Sequence, residues 1–246
     1  MNSQYAILAS GLSKSFRYVD AIRNIDLQVK HGELFGVIGS RGAGKSTLLE
    51  LLTGLRKADK GDIQLLGMDV GTHLNQIKQR IGVQPQNSAL YDRMKVKEAL
   101  HLFRTYYNKK RNLPNLIEML GLEPYLNQYI SRLSTGLQQR ISLAVTIVND
   151  PDIIALDEPY AEVDPQHREE MWSILGKLRD EGKTIIISTS VKDEARRYCD
   201  RVALLVEGAI SVCNTKGFVR TTPYGVTAGD EIYMSLNAFN QRGESA

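Results

Sequence analysis

The chain has 246 residues, of which 42% are hydrophobic and 24% are charged, and this apolar content is sufficient for a folded core. Its 31 basic and 28 acidic residues leave a formal net charge of only +3, which argues against a dedicated nucleic-acid-binding protein, because such proteins are strongly basic. No apolar run approaches the roughly 18 residues that a membrane-spanning helix needs, and the first residues lack the basic and apolar regions of a signal peptide. We therefore expect a globular protein located in the cytoplasm.

The first part of the chain has a β pattern. Short strand-like segments run from residue 8 to residue 29, and a polar turn follows at 30–33. The apolar run 34–38 is short and bounded by turn residues, which is typical of a buried central strand. From residue 87 to residue 150 apolar residues recur three and four positions apart instead. We predict a helical subdomain over 87–150, inserted into an α/β core.

The last third returns to β structure. Residues 153–156 and 184–187 are two short apolar runs with a helical pattern between them, as in a parallel sheet. Asp164 is a suitable N-cap for that helix, and Pro165 suits its first turn. Glycines and a proline interrupt the pattern after residue 217, so we expect 217–246 to be a peripheral strand pair or a partly ordered tail. Cys199 and Cys213 lack Cys-x-x-Cys spacing and are predicted to be free thiols.

The segment after the predicted central strand matches G-x-x-x-x-G-K-[ST] in full, with Gly39, Ser40, Arg41, Gly42, Ala43, Gly44, Lys45 and Ser46. Small residues let backbone N–H groups close around phosphate oxygens, and the N-terminus of the following helix adds partial positive charge. Lys45 can neutralise the outer phosphates, and the Ser46 hydroxyl can ligate Mg²⁺. Thr47 opens the helical run and completes the candidate nucleotide-binding set. The alternative is a glycine-rich turn that carries Lys-Ser by chance, which the flanking strand and helix disfavour.

Two carboxylates, Asp157 and Glu158, follow the apolar run 153–156 directly. The carboxyl ends of parallel strands form the edge at which open α/β sheets bind their ligands. A phosphate loop at the same edge would face this acidic pair. Asp157 is then suited to hold Mg²⁺ through water, and Glu158 to orient or deprotonate the water that attacks the γ-phosphate. The alternative is a strand that meets charge where it emerges into solvent.

A further motif, residues 133–140 with the sequence LSTGLQQR, opens a helix shortly before the acidic strand. With it, the chain resembles the nucleotide-binding domains of ATP-binding cassette (ABC) transporters from about residue 8 to residue 212. The resemblance implies one cassette domain over 1–246, with a P-loop NTPase core of mainly parallel sheet, an N-terminal antiparallel β subdomain and an inserted α-helical subdomain. It also implies ATP and Mg²⁺ as cofactors.

In that family the equivalent of this motif, Leu-Ser-Gly-Gly-Gln, is the signature element. It contacts the γ-phosphate of ATP held by a second cassette, so the resemblance implies a head-to-tail dimer, of two identical or two different cassettes. Ser134 offers a hydroxyl and an N-cap, and Gly136 lets a backbone N–H approach an anion at a positive helix end. The alternative for these residues is a plain N-capped helix.

Other positions match the family one by one. Phe16 matches the aromatic residue that stacks on adenine, with Tyr18 as a possible replacement. Gln86 matches the glutamine that links Mg²⁺ to the membrane subunit, and Asp164 matches the dimer-contact loop. The resemblance therefore implies an integral membrane transporter subunit as partner, no nucleic acid, and a location at the inner face of the cell membrane. The motifs are most like those of exporter-type systems for drugs, lipids, polysaccharides or peptides.

The chain also departs from the family pattern. Ser190 stands where the family's switch histidine reaches the γ-phosphate, and Thr135 and Leu137 replace a glycine and the glutamine of the signature. Loss of one preorganised donor typically costs about 10²–10³-fold in kcat, so we expect slow but real hydrolysis, with Glu158, Gln86 and Ser190 as the candidate catalytic residues. One alternative is a regulatory ATP-binding module paired with a catalytically complete cassette. A second is a soluble cassette ATPase of translation or DNA repair.

Overall fold

The computed structural model describes residues 4–86, 93–160 and 163–214, and side chains up to residue 211. The strands in these ranges are β1 (Tyr5–Phe16), β2 (Val19–Lys30), β3 (Leu34–Ile38), β4 (Lys60–Leu65), β5 (Met68–Asp69), β6 (Ile81–Gln84), β7 (Ile153–Asp157), β8 (Thr184–Thr189), β9 (Arg201–Val206) and β10 (Ala209–Asn214). The helices are α1 (Lys45–Leu52), α2 (Val70–Lys78), α3 (Val96–Thr105), α4 (Leu113–Met119), α5 (Thr135–Thr146), α6 (Pro165–Asp180) and α7 (Lys192–Tyr198). Two 3₁₀ turns lie at Glu123–Tyr125 and Ile130–Arg132.

The strands form two sheets. A four-stranded antiparallel sheet has the order β2-β1-β4-β5, and a six-stranded sheet has the order β10-β9-β3-β8-β7-β6. All neighbours in the larger sheet are parallel except β9 and β10. The predicted fold class, a mainly parallel sheet with an N-terminal antiparallel β unit, is confirmed. The order places β8 between β3 and β7, so the carboxyl ends of these three strands meet at one edge.

The larger sheet is covered on both faces, which explains the continuous apolar runs of its central strands. Side chains alternate along β3, so that Leu34 and Ile38 pack against the helices on one face. Phe35 and Val37 pack on the other face, against α1 and the antiparallel sheet. Every residue of β3, β7 and β8 is buried. The sheet is therefore a rigid support for the loops at its carboxyl edge.

The sequence patterns locate some elements better than others. The run 34–38 is β3, and Asp164 caps α6, as predicted. The short strand β6 escaped prediction because of its glycine, Gly82, at which an added Cβ would lie 2.1 Å from the carbonyl oxygen of Thr146 in α5. Helices α3, α4 and α5 lie between β6 and β7, whereas the limits 87–150 of a subdomain stay a prediction.

Several predictions fall beyond the described part of the chain. The predicted peripheral segment 217–246 lies outside it, as does the side chain of Cys213. Cys199 is described and buried, and burial raises the pKa of its thiol. Of the helices in the described ranges, none combines the length and the apolar character that crossing a membrane requires.

An ion cluster around Asp150 joins distant segments and makes stability depend on pH. Lys109 and Lys183 pair with its carboxylate, and Arg111 lies 3.5 Å from it. Burial alone would raise the pKa of Asp150, but the hydrogen bonds and charges of the two lysines outweigh burial and lower it. A carboxyl with a lowered folded pKa stabilises the protein above its unfolded pKa, and this contribution is lost as pH falls through the folded value.

We therefore expect Asp150→Asn to lower the free energy of unfolding at pH 7 by about 1 kcal/mol, the scale of partly exposed ion pairs. The difference from wild type should shrink as the pH falls below about 4. Thermal unfolding across this pH range measures both effects. Asp62→Asn is the control, because Asp62 is exposed and has no ion pair within the described ranges. Equal losses for the Asp150 variant at pH 7 and in acid would contradict the assignment.

Candidate nucleotide-binding site

The phosphate loop, residues 39–46, runs from the end of β3 into the first turn of α1. Gly44 has a φ of +103° at the helix N-cap, and an added Cβ there would lie 2.5 Å from the carbonyl oxygen of Ala21. A Cβ at Gly39 would lie 2.6 Å from the carbonyl oxygen of Leu205. These glycines are thus required by the main chains of β2 and β9, in addition to the approach of phosphate expected from the sequence. The main chains of β2 and β9 therefore pack directly against the phosphate loop at Gly44 and Gly39.

Lys45 lies inside this loop with only 6% of its side chain exposed. Its Nζ donates to the carbonyl oxygens of Gly39 and Ser40, at 2.9 Å each. Its third partner is the Oε1 of Glu158, at 3.0 Å. All three donors of the ammonium group are therefore engaged. The lysine of the phosphate loop and the second carboxylate of the acidic pair are in direct contact.

The acidic pair lies at the end of β7. Asp157 is 7% exposed, and its Oδ1 accepts a hydrogen bond of 2.5 Å from the hydroxyl of Ser188. Glu158 has a φ of +43°, a left-handed conformation that is uncommon outside glycine. Its Oε2 accepts from the backbone N–H of Ser190 at 3.1 Å and from the Ser190 hydroxyl at 3.3 Å. The structure thus brings Lys45, Asp157, Glu158 and Ser190 together at one edge.

Ser188 is a site residue that the sequence analysis missed. It precedes Ser190 by two positions and directly follows the apolar run 184–187. Its hydroxyl contacts both members of the acidic pair, Asp157 through a carboxylate oxygen and Glu158 through its backbone N–H. A polar residue that ends a buried apolar strand is the signal that pointed to Asp157 and Glu158. The same signal is present at β8, whereas Ser190 was identified there only from the resemblance to the family's switch region.

The candidate Mg²⁺ ligands are all oxygen donors, as Mg²⁺ prefers. Ser46 is the second residue of α1 and is half-buried, and Gln86 is exposed two residues beyond the end of β6. In the described residues, no cluster of three or more His, Cys, Asp or Glu side chains is arranged to hold a metal. This donor set fits Mg²⁺, which is usually bound through one or two carboxylates together with substrate phosphates rather than in a protein cage.

The signature helix α5 begins as predicted but lies apart from the phosphate loop of its own chain. Ser134 is its N-cap, and its Oγ accepts from the N–H of Leu137 at 3.4 Å. The side chain of Gln138 donates to the carbonyl oxygens of Ile130 and Leu133. No hydrogen bond or ion pair joins Ser134 or Gly136 to residues 39–46 in the described structure.

The N-termini of α5 and α6 are neighbours. An added Cβ on Gly136 would lie 3.2 Å from Cγ of His167. Asp164 caps α6, because its Oδ1 accepts from the N–H of His167, and its Oδ2 lies 2.7 Å from Nδ1 of that residue. The hydrogen bond from the backbone of His167, followed by that from its ring, lowers the pKa of Asp164. The two N-caps Ser134 and Asp164 are exposed, whereas Gly136 is buried against His167.

The two aromatic candidates lie at the turn between β1 and β2. Phe16 ends β1 with 38% of its surface exposed, and the guanidinium of Arg56 lies 5.0 Å from its ring centroid. Lys14 approaches the same ring at 5.6 Å, so both contacts are within cation–π range. Tyr18 is fully exposed in the turn. Stacking of either ring on adenine stays a prediction.

Comparison with known proteins identifies the family. The family model described as ABC transporter matches residues 22–161, more than half of the chain. The chain is 36% identical over 211 residues to Nod factor export ATP-binding protein I of Rhizobium sp. (strain N33), and the match covers 84% of this chain and 69% of that protein. It covers 62% to 66% of several other proteins of that name.

Solved structures have the same fold. A dimeric bacterial ABC transporter cassette matches with a TM-score of 0.77 and 25% identity, over 86% of this chain and 100% of that chain. The protein cbiO1 from Clostridium perfringens, part of the ABC transporter complex cbiONQ, matches with a TM-score of 0.77 and 26% identity, over 87% of this chain and 90% of that one. The family match, the relatives and the fold agree, and the chain belongs to the ABC transporter family as an ATP-binding subunit.

Proposed function

We propose that this protein binds MgATP between its own phosphate loop and the signature helix of a second cassette, hydrolyses it slowly, and thereby drives a separate membrane subunit. The observation that carries the proposal is the 3.0 Å contact between Nζ of Lys45 and Oε1 of Glu158. It places a phosphate-binding cation and a potential base side by side, next to the buried carboxylate of Asp157. Phosphoryl transfer requires this combination of charge and base in one place.

Each residue has a distinct role in this proposal. When ATP binds, the ammonium group of Lys45 leaves Glu158 and pairs with the outer phosphates. The N–H groups of the phosphate loop hold the remaining phosphate oxygens. Ser46, Asp157 and Gln86 hold Mg²⁺, which when bound offsets the negative charge of the phosphates. Glu158, released from Lys45, accepts a proton from the attacking water. Ser190 keeps the Glu158 carboxylate in place through its N–H and hydroxyl.

The dimer is inferred from the neighbouring N-termini of α5 and α6. Ser134 is exposed at the positive end of α5, where a backbone N–H favours an anion, and Gly136 lies buried in the same turn. Among the described residues, no hydrogen bond or ion pair joins either of them to the phosphate loop of their own chain, and we therefore take a head-to-tail partner as the source of the phosphate. Asp164, the exposed N-cap of α6, would meet that partner. The dimeric cassette of the same fold supports this arrangement.

The partner and location follow from the relatives. The curated relatives are named as ATP-binding proteins of Nod factor export, which supports an export system for this chain too. We infer that an integral membrane subunit recruits the protein to the inner face of the membrane. Gln86 is exposed just beyond β6 and would connect the nucleotide site to that subunit.

One alternative has specific support. Ser190, Thr135 and Leu137 depart from the family pattern, which favours a regulatory module that binds ATP without hydrolysing it. Glu158 and its contact with Lys45 favour hydrolysis. The lifetime of the ATP-bound dimer separates the two, because hydrolysis removes the ligand that holds the dimer together.

The test uses the purified chain with ATP and either Mg²⁺ or EDTA. We expect ATP-induced dimers, detected by light scattering, to persist in EDTA and to dissociate in Mg²⁺ as phosphate is released. We expect turnover below the roughly 1–100 s⁻¹ typical of phosphoryl-transfer enzymes such as kinases. Dimers that persist equally in both conditions would replace the proposal by the regulatory module. Recovery of an integral membrane protein with the tagged chain tests the partner, and its absence would remove the transport role.

A further inference from the structure

Ser188 occupies the central position of the site. In the parallel sheet it pairs with Val37 of β3 on one side and with Asp157 of β7 on the other. It is fully buried. The strand that carries it thus lies between the strand that leads into the phosphate loop and the strand that ends in the acidic pair. No other strand borders both.

The hydroxyl of Ser188 makes two hydrogen bonds, one as donor and one as acceptor. It donates to Oδ1 of Asp157 at 2.5 Å and accepts from the backbone N–H of Glu158 at 2.9 Å. Within the described ranges, no other group hydrogen-bonds to the carboxylate of Asp157. The orientation of this carboxylate therefore depends on one hydroxyl group. A hydroxyl can donate once and accept twice, so both contacts can exist together.

The second contact matters because Glu158 has an unusual main chain. Its φ of +43° is a left-handed conformation that is strained for a residue with a side chain. The N–H of Glu158 is shared between the carbonyl oxygen of Ser188, at 3.2 Å, and the Ser188 hydroxyl. These bonds hold the turn that directs the Glu158 side chain towards Lys45 and Ser190.

We propose that Ser188 is the positioning residue for both carboxylates of the reaction. Its hydroxyl orients the carboxylate of Asp157, the proposed Mg²⁺ ligand. Its bond to the backbone of Glu158 fixes the direction of the Glu158 side chain, the proposed base. It touches neither the nucleotide nor the reacting water. This inference rests on the proposed function, because it assigns the means by which that site is kept in order.

A purely structural role makes a different prediction. If Ser188 only satisfied a buried carboxylate, its loss would lower stability and leave the Mg²⁺ dependence of the site unchanged. A positioning role instead predicts a lower kcat and a higher Mg²⁺ requirement. The variant should bind ATP without metal at least as tightly as wild type does, but should need more Mg²⁺ and turn over more slowly.

The experiment compares Ser188→Ala, Ser188→Cys and Ser188→Thr in the full chain. Alanine removes the hydroxyl, cysteine leaves only a weak donor, and threonine keeps the hydroxyl. We expect kcat to fall about 10- to 100-fold in the alanine variant, as for other lost groups that orient a site. The Mg²⁺ concentration for half-maximal rate should rise by a similar factor, while ATP affinity in EDTA should not fall. Threonine should restore most of both losses.

Ser142→Ala is the matched control, since Ser142 is also a buried serine but lies in α5, outside the site. If the alanine variant does not fold, the cysteine variant carries the same test. The inference is overturned if kcat and the Mg²⁺ requirement of these variants match wild type, or if threonine restores neither. If wild type binds MgATP but does not hydrolyse it, the proposed function fails, whereas the Mg²⁺ dependence of ATP affinity still tests Ser188.

Discussion

Replacing Glu158 by glutamine is expected to lower ATP turnover by about 10²- to 10⁴-fold, the usual contribution of a positioned base. Glutamine has the same shape but cannot accept the proton of the attacking water. Its amide oxygen can still accept the hydrogen bonds that Ser190 now gives to Oε2. The site should therefore keep its geometry and its ability to bind ATP. Phosphate release from the purified variant measures the loss.

The same variant should bind ATP more tightly in EDTA. The Glu158 carboxylate pairs with Lys45, so it competes with phosphate for the same ammonium group. An uncharged amide removes that competition, and no hydrolysis occurs without metal to complicate the measurement. Glu169→Gln is the control, because Glu169 is an exposed glutamate in α6 whose side chain contacts Arg197 and Tyr198. Equal turnover in wild type and the Glu158 variant would remove the catalytic role of Glu158.

Replacing Lys45 by methionine is expected to weaken MgATP binding by about 2–5 kcal/mol, or roughly 30- to 5,000-fold, the cost of truncating one partner of a buried charge pair. Lys45 is nearly buried, and its ammonium group donates to two carbonyl oxygens of the phosphate loop. Methionine keeps the apolar stem but carries no charge. Titration calorimetry with MgATP measures the effect, with Lys97→Met on the exposed side of α3 as the control. Affinity within about twofold of wild type would contradict a phosphate-binding role for Lys45.

A double variant separates two causes of that loss. The Glu158 side chain is only 11% exposed in the wild-type structure. In Lys45→Met it would lose its cation and would repel phosphate as well. Adding Glu158→Gln removes this repulsion but not the missing attraction. We expect the double variant to recover part of the affinity, because residues in contact are not additive. The loss of affinity that remains in the double variant measures the direct interaction between Lys45 and ATP.

The local motifs could be predicted because the residues of each motif are consecutive in the chain. The phosphate loop spans eight consecutive residues, and the acidic pair directly follows an apolar strand. The N-caps Ser134 and Asp164 were likewise visible, since a cap and its helix are adjacent in sequence. In contrast, β6 has only four residues, one of them Gly82, and glycine weakens a strand pattern when a helix packs closely upon it.

The sequence by itself determined the family and the α/β class and predicted which residues would meet phosphate, because these depend on residue types at fixed spacings. Only the tertiary structure decided which of them touch. It placed β8 between β3 and β7, which brings Ser188 to the acidic pair and Glu158 to Lys45. It also showed that Gly39 and Gly44 must lack a Cβ because of the backbone of distant strands. Contacts between residues far apart in the chain depend on strand order and packing, and no local pattern of side chains specifies that order.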